Sequence, residues 1–261
     1  MTVKNKFILT LSILISINFA SCKEYQKNQD GELLDGKTIL EKCIENHGGS
    51  IFNSSNIKLT TNDIDYEMVN YQYKVKYSMR KFFNKDLHVV NYDRGYVQYF
   101  INDSLRNSNA YNNFVVNTRL DNFLYLLSIP FNLDFNGTIT ERLEDVTIRS
   151  KDYYSIHISF PKIEDVPENE FILYIDKESF QMSFLALKYN ILGSSISFRR
   201  FMNPRTVDGV MFQDYISFTP KEDSNATLQD LYIEYNKATL KDAKPIKLKK
   251  ISVSPITQDP F

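Results

Sequence analysis

Apolar residues at positions 39, 40, 43 and 44 of the segment 38–47 recur with a helical period, and Gly48-Gly49 follows as a stop. Thr38 and Glu41 fit an N-cap and its capping-box partner. Cys43 falls on the apolar stripe with Leu40 and Ile44, where a free thiol behaves as a small hydrophobe, so it reads as core rather than nucleophile. From Ile57 onward the period falls to two. Tyr71, Tyr73, Val75, Tyr77 and Met79 alternate with Gln72, Lys74, Lys76, Ser78 and Arg80, the pattern of one half-buried antiparallel strand. Segments 87–92 and 96–101 read as a hairpin turning at Asp93-Arg94-Gly95.

A second helical pattern covers 117–130, with Asn117 or Thr118 as cap, apolar residues at 120, 123, 124 and 127, and Pro130 as terminator. The aromatic segment 131–135 follows. The second half reads as short strands at 146–149, 153–160, 171–175, 182–189, 195–201, 210–218 and 231–235, with Asp208-Gly209 as a hairpin turn. These elements predict an α+β, mostly β fold: a large, strongly curved antiparallel sheet with an N-terminal helix and a covering helix. Strands follow one another without intervening helices, which excludes a TIM barrel, and no repeat supports a propeller or solenoid.

The N-terminus has its own pattern. Lys4 and Lys6 precede an apolar run over 7–19 that spans roughly 20 Å as a helix, too short for a ~30 Å hydrocarbon core, so it reads as a signal peptide. Phe19-Ala20-Ser21-Cys22 then resembles the bacterial lipobox, which implies lipidation of Cys22 and a membrane anchor of N-terminal acyl chains. The predicted organisation is a lipoprotein signal peptide at 1–21, the lipidated Cys and a polar tether at 22–37, and a single domain at 38–261. Lys23 rather than Asp after the Cys points to the outer membrane of the envelope, with periplasmic and surface orientation both open.

Composition narrows the chemistry. The 17 Tyr and 19 Phe with only 8 Gly and 8 Pro favour strands, and a formal charge of −1 provides no field for nucleic acid. No Walker, GxSxG, HExxH or GxGxxG motif is present. Neither the two cysteines nor His47, His88 and His157 show metal-ligand spacing, so no metal or other cofactor is expected. His47, at a helix C-terminus, is accounted for by capping, and His88 and His157 read as surface residues. Arg199-Arg200 sends one guanidinium to each face of a strand. Pairing with an Asp or Glu is the simpler expectation, a ligand carboxylate or phosphate the functional alternative. His47, Arg199 and Arg200 are therefore the candidate polar site.

Several separated segments carry a resemblance: His47-Gly48-Gly49, Lys151-Asp152-Tyr153-Tyr154, Tyr174-Ile175-Asp176-Lys177-Glu178-Ser179-Phe180, and Phe198-Arg199 before Val207-Asp208-Gly209-Val210-Met211-Phe212. Together, over about residues 38–255, they resemble the DUF6503 family of Bacteroidota envelope lipoproteins. That family is similar to the LolA/LolB and RseB lipoprotein-sorting fold, a half-barrel with helices over an apolar cavity for acyl chains. The resemblance implies a fold and a ligand type and no reaction. On it, Tyr73, Val75, Tyr77, Ile156, Ile158, Phe198 and Phe212 are the candidate cavity lining, and Leu120, Phe123, Leu124 and Leu127 the candidate lid. The leading expectation is a non-enzymatic lipoprotein that binds a lipid or other hydrophobic ligand. The alternatives are a module with a solid core that docks another envelope protein, and an unrecognised hydrolase-type enzyme.

Overall fold

The computed structural model describes residues 33–72, 74–93, 96–106, 123–133, 137–161, 169–189 and 195–261. The compact unit begins at Leu34, whose side chain is buried. Helix α1 spans Gly36–His47 and buries Ile39, Leu40 and Cys43. Its cap is Asp35 and not Thr38: the Asp35 Oδ1 accepts the Thr38 backbone N–H at 2.7 Å, and a carboxylate there also favours the helix dipole. The short helix α2 (Gly49–Phe52) continues directly from it.

The strands form two antiparallel sheets. The first has seven strands: β1 (Ser54–Thr61), β2 (Ile64–Tyr71), β3 (Lys74–Phe83), β4 (Asp86–Asp93), β5 (Tyr96–Ile101) and β6 (Ser104–Arg106) in sequential order, with β15 (Lys249–Pro255) added beside β1. The second has eight: β14 (Lys241–Asp242), β13 (Val210–Thr219), β12 (Ser195–Val207), β11 (Met182–Tyr189), β10 (Glu170–Asp176), β9 (Lys151–Ser159) and β7 (Ile139–Arg142) in that order, and β8 (Val146–Ile148) on β9. Mostly β and antiparallel is thus the observed class, with the strands divided between two sheets.

Burial differs between the sheets because their coverage differs. In β1, residues 55, 57, 59 and 61 are buried and their neighbours are not, the alternation of a sheet packed on one face. In β10 every residue after Glu170 is buried. There α1 covers one face, against Ile156, Ile158, Leu173 and Leu185, while the helix α4 (Leu231–Asn236) covers the other, against Phe184 and Phe198. The segment 231–235 is therefore a helix and not the expected strand. Leu231 and Tyr235, one turn apart, both reach the same aromatic cluster, a periodicity that a five-residue segment is too short to reveal.

The expected single strand over 71–79 is two strands. Tyr71 ends β2, Lys74 opens β3, and Gln72 turns the chain at φ 46°. Tyr73 lies outside the described residues. The same device recurs: Asn62-Asp63, Asn84-Lys85, Asn102-Asp103 and Arg149-Ser150 each place two successive residues at positive φ, so the chain makes tight hairpins without glycine.

The motifs behind the family resemblance pair with one another. Lys151 forms an ion pair with Asp176, whose carboxylate also accepts from the Glu178 and Ser179 N–H groups at 3.1 and 3.0 Å. Gly48 meets the β12–β13 turn at Gly209. These segments hold the fold together.

Candidate functional site

Registers across the seven-stranded sheet set the inner wall of a cavity. Ile57, Met68 and Tyr77 lie directly opposite one another on one row, and Ser55, Asn70 and Val75 on the next, all on the buried face. Helical residues 123–127 (α3) and the 3-10 turn Phe131–Leu133 pack over this face. Phe123 lies 4.5 Å from the Tyr66 ring, Leu124 is fully buried beside Val90, and Leu127 joins the clusters on both sides. The Phe131 ring stacks on Phe52 at 3.8 Å.

Between sheet and turn remains a cavity of about 440 Å³, lined by Phe52, Asn53, Asn70, Lys74, Val75, Tyr77, Tyr125, Ser128, Phe131 and Asn132. That volume is within the range of small-molecule sites, roughly 300–1,000 Å³. Aromatic and aliphatic side chains form much of the wall. Lys74 is paired, its Nζ 2.7 Å from Asp259 Oδ2 and facing the Phe261 ring. The Ser128 hydroxyl is committed as well, donating to the Leu124 carbonyl at 2.8 Å.

The expected lining is met in part. Val75 and Tyr77 face the cavity. Ile156 and Ile158 do not: both are fully buried under α1, where the helix fills the space. Phe198 is on the opposite face of its sheet, 5.0 Å from Tyr235 and 5.5 Å from Phe184, because the register of β12 turns it toward α4. Phe212 lines a separate void of about 30 Å³ shared with His47, Leu127 and Gln213, room for no more than a water. Of the expected lid, Phe123, Leu124 and Leu127 are packed as covering residues, and Leu120 lies outside the described residues. The sequence reading missed Asn70, which points inward on β2 two residues from Met68, and Phe131-Asn132, in the 3-10 turn after α3.

The candidate polar residues do not converge. His47 is buried, with Nδ1 2.8 Å from the Cys43 carbonyl and Nε2 3.4 Å from Gln213 Oε1. Burial pulls its pKa below the ordinary histidine value, more than these two contacts raise it. Burial also pushes the Cys43 thiol far up, so it is no nucleophile at neutral pH. Arg199 and Arg200 take aromatic partners in place of the expected carboxylates. The Arg199 guanidinium stands 4.4 Å from the Tyr215 ring centroid, and Arg200 reaches the Tyr235 hydroxyl at 3.5 Å from the other face. His88, expected at the surface, is half-buried with Nδ1 2.5 Å from the Tyr99 hydroxyl. His157, also half-buried, lies 3.7 Å from Glu141 and Glu170. Among the described residues no cluster of three His, Cys, Asp or Glu could hold a metal ion, and no helix is long and apolar enough to cross a membrane.

A family model described as a family of unknown function, DUF6503, matches residues 4–247. Among solved structures, a Vibrio parahaemolyticus domain described as an outer membrane lipoprotein-sorting protein is similar at TM-score 0.45 and 8% identity, over 84% of this chain and 92% of that one. A DUF1329 family protein from Desulfovibrio piger follows at TM-score 0.41 and 8% identity, over 83% and 92%. Lipoprotein LppX of Mycobacterium tuberculosis is similar at 0.27 and 9% identity, over 61% and 91%. No curated protein matches the chain.

Proposed function

The chain belongs to the DUF6503 family, and we propose that it is a lipid-anchored envelope protein that holds an acyl chain or similar hydrophobic ligand in its 440 Å³ cavity and performs no chemistry on it. The observation that carries this reading is the cavity itself, bounded by Val75, Tyr77, Phe52 and Phe131, in a domain whose other faces are closed by α1 and α4. The space opens to solvent, so the apolar side chains of Phe52, Val75, Tyr77 and Phe131 on its wall meet water unless a hydrophobic occupant covers them. In this reading residues 1–21 are removed as a signal peptide, Cys22 carries the acyl chains, and the segment up to Leu34 tethers the domain, with the outer membrane as destination. Loss of palmitate labelling in Cys22→Ser tests the anchor.

Native mass spectrometry of the full chain, extracted from membranes and held in amphipol, tests the ligand. A co-purifying lipid, lost in Val75→Trp, is the expected result. Repeated absence of any adduct, with no uptake of added fatty acid, overturns the proposal.

A second reading has one observation in its favour. Phe82 on β3 and Leu105 on β6 are 72% and 59% exposed, apolar surface suited to docking another envelope protein, while Phe83, 59% exposed, points to the opposite face of the sheet. Photocrosslinking from position 82 in cells reports whether a specific partner sits there.

A further inference from the structure

The cavity wall contains two polar atoms that the fold leaves without partners. Asn70 is 4% exposed, yet its Nδ2 donates to nothing among the described residues. Asn132 donates its own Nδ2 to the Tyr125 carbonyl at 3.0 Å, which fixes the amide and leaves Oδ1 shielded from water with no donor. Both residues border the same cavity. Buried polar groups are almost always hydrogen-bonded, and an orphaned one costs about 1–3 kcal/mol, so two orphans on one apolar wall call for an explanation.

The nearest polar neighbours do not supply it. Ser55, opposite Asn70 across the strand pair, donates its hydroxyl to the Phe52 carbonyl at 2.9 Å, and the Ser128 hydroxyl donates to the Leu124 carbonyl. Charge does not supply it either. Among the described lining residues there is no acid, and the cation, Lys74, is held by Asp259. A free donor and a free acceptor on a wall whose cation is already paired suit a group that both accepts and donates while carrying no charge. An anionic head would meet the Asn132 oxygen as a repulsive neighbour, and an ammonium would meet the Asn70 N–H in the same way. The Asn70 amide turns broadly about χ2, so its N–H can swing to an occupant while Asn132 keeps its bond to the Tyr125 carbonyl.

We infer that the ligand carries an uncharged head group of the amide or hydroxyl class at one end of its hydrocarbon chain, and that Asn70 and Asn132 form the polar corner that receives it. This rests on the acyl-binding reading above and names the ligand class for the same cavity. In the bound state Asn70 Nδ2 donates to the carbonyl or hydroxyl oxygen of the head, and the head's N–H or O–H donates to Asn132 Oδ1. A site that hydrogen-bonds a head in this way rejects analogues that leave its own groups unpaired.

The test is a competition read by native mass spectrometry. The full chain in amphipol, at pH 8, is offered an equimolar mixture of dodecanamide, 1-dodecanol, dodecanoate and dodecylammonium, whose adducts separate by mass. The expected result is that the two neutral compounds occupy the wild type at least tenfold more than the two ions. Asn70→Leu and Asn132→Leu, near-isosteric changes that remove the orphaned groups, keep their adducts but bring the four compounds within about threefold. Equal occupancy in the wild type, or an undiminished bias in both variants, overturns the inference and leaves the corner merely water-filled. No adduct with any of the four compounds instead overturns the acyl-binding reading itself, and the inference with it.

Discussion

Gly48 and Gly209 meet backbone to backbone: a β-carbon on Gly48 would stand 2.8 Å from the Gly209 carbonyl oxygen and 3.0 Å from Val210 Cα. Gly48 also sits at φ 126°, where side chains are strained. The contact ties the end of α1 to the β12–β13 turn. Gly48→Ala is expected to cost about 2–4 kcal/mol, seen as a fall in the denaturant midpoint. Gly49, at φ 49° with nothing within 4 Å of its would-be β-carbon, supplies the control. Its alanine variant should cost only about 1 kcal/mol.

His47 and Gln213 give the domain a pH response. Gln213 donates its Nε2 to the Met182 carbonyl at 3.2 Å, which turns its Oε1 toward His47, while the other ring nitrogen faces the Cys43 carbonyl. Both ring nitrogens thus face acceptors, but burial dominates and keeps the folded pKa below that of the unfolded chain. The unfolded state therefore binds the proton first. This contribution is fully present above about pH 6.5 and is lost as pH falls through the folded value. Urea midpoints measured from pH 7.5 to 5 should fall in the wild type and fall less in His47→Gln.

Asp176 responds at lower pH. Burial raises its pKa, but Lys151 and the Ser179 and Glu178 donors together outweigh it and hold the carboxyl below its ordinary value. Its stabilisation is present above about pH 3.8 and is lost as pH falls through the folded value. Asp176→Ala strips the turn of its acceptor and should cost about 2–4 kcal/mol at pH 7, and the variant should be less acid-sensitive than the wild type.

Asn70→Leu separates function from stability. It replaces an orphaned donor with apolar surface in an apolar wall, so thermal unfolding should show equal or higher stability, by up to about 2 kcal/mol. A clear loss of stability would mean that Asn70 is satisfied within the fold and has no ligand to await.

Much of the architecture was legible in residue order. Leu40 and Cys43 on a helical stripe, the hairpin of 87–101, and Tyr154, Ile156 and Ile158 on one strand face all follow from periodicity. The errors have physical causes. A turn at Gln72 has neither Gly nor Pro to announce it, so two strands read as one. Leu231-Tyr232-Ile233-Glu234-Tyr235 is too short for its period to decide between helix and strand, and burial against Phe184 and Phe198 decides it. The site was less legible than the fold. Val75 and Tyr77 were found because they alternate inward. Ile156, Ile158 and Phe198 satisfy the same pattern but lie against helices, and strand periodicity does not say which apolar face is left uncovered. Asn70 and Asn132 looked like ordinary polar residues because their significance lies in partners they lack.

The most direct measurement exploits the absence of tryptophan from the chain. Tyr125→Trp puts a single indole on the cavity wall, and a dodecanamide brominated along its chain quenches indole fluorescence only in contact. Saturable quenching in the full chain, abolished when Val75→Phe is added to fill the space, is the result expected of a ligand-filled cavity. Quenching that never saturates, or that persists unchanged with Val75→Phe, would contradict acyl binding at this site.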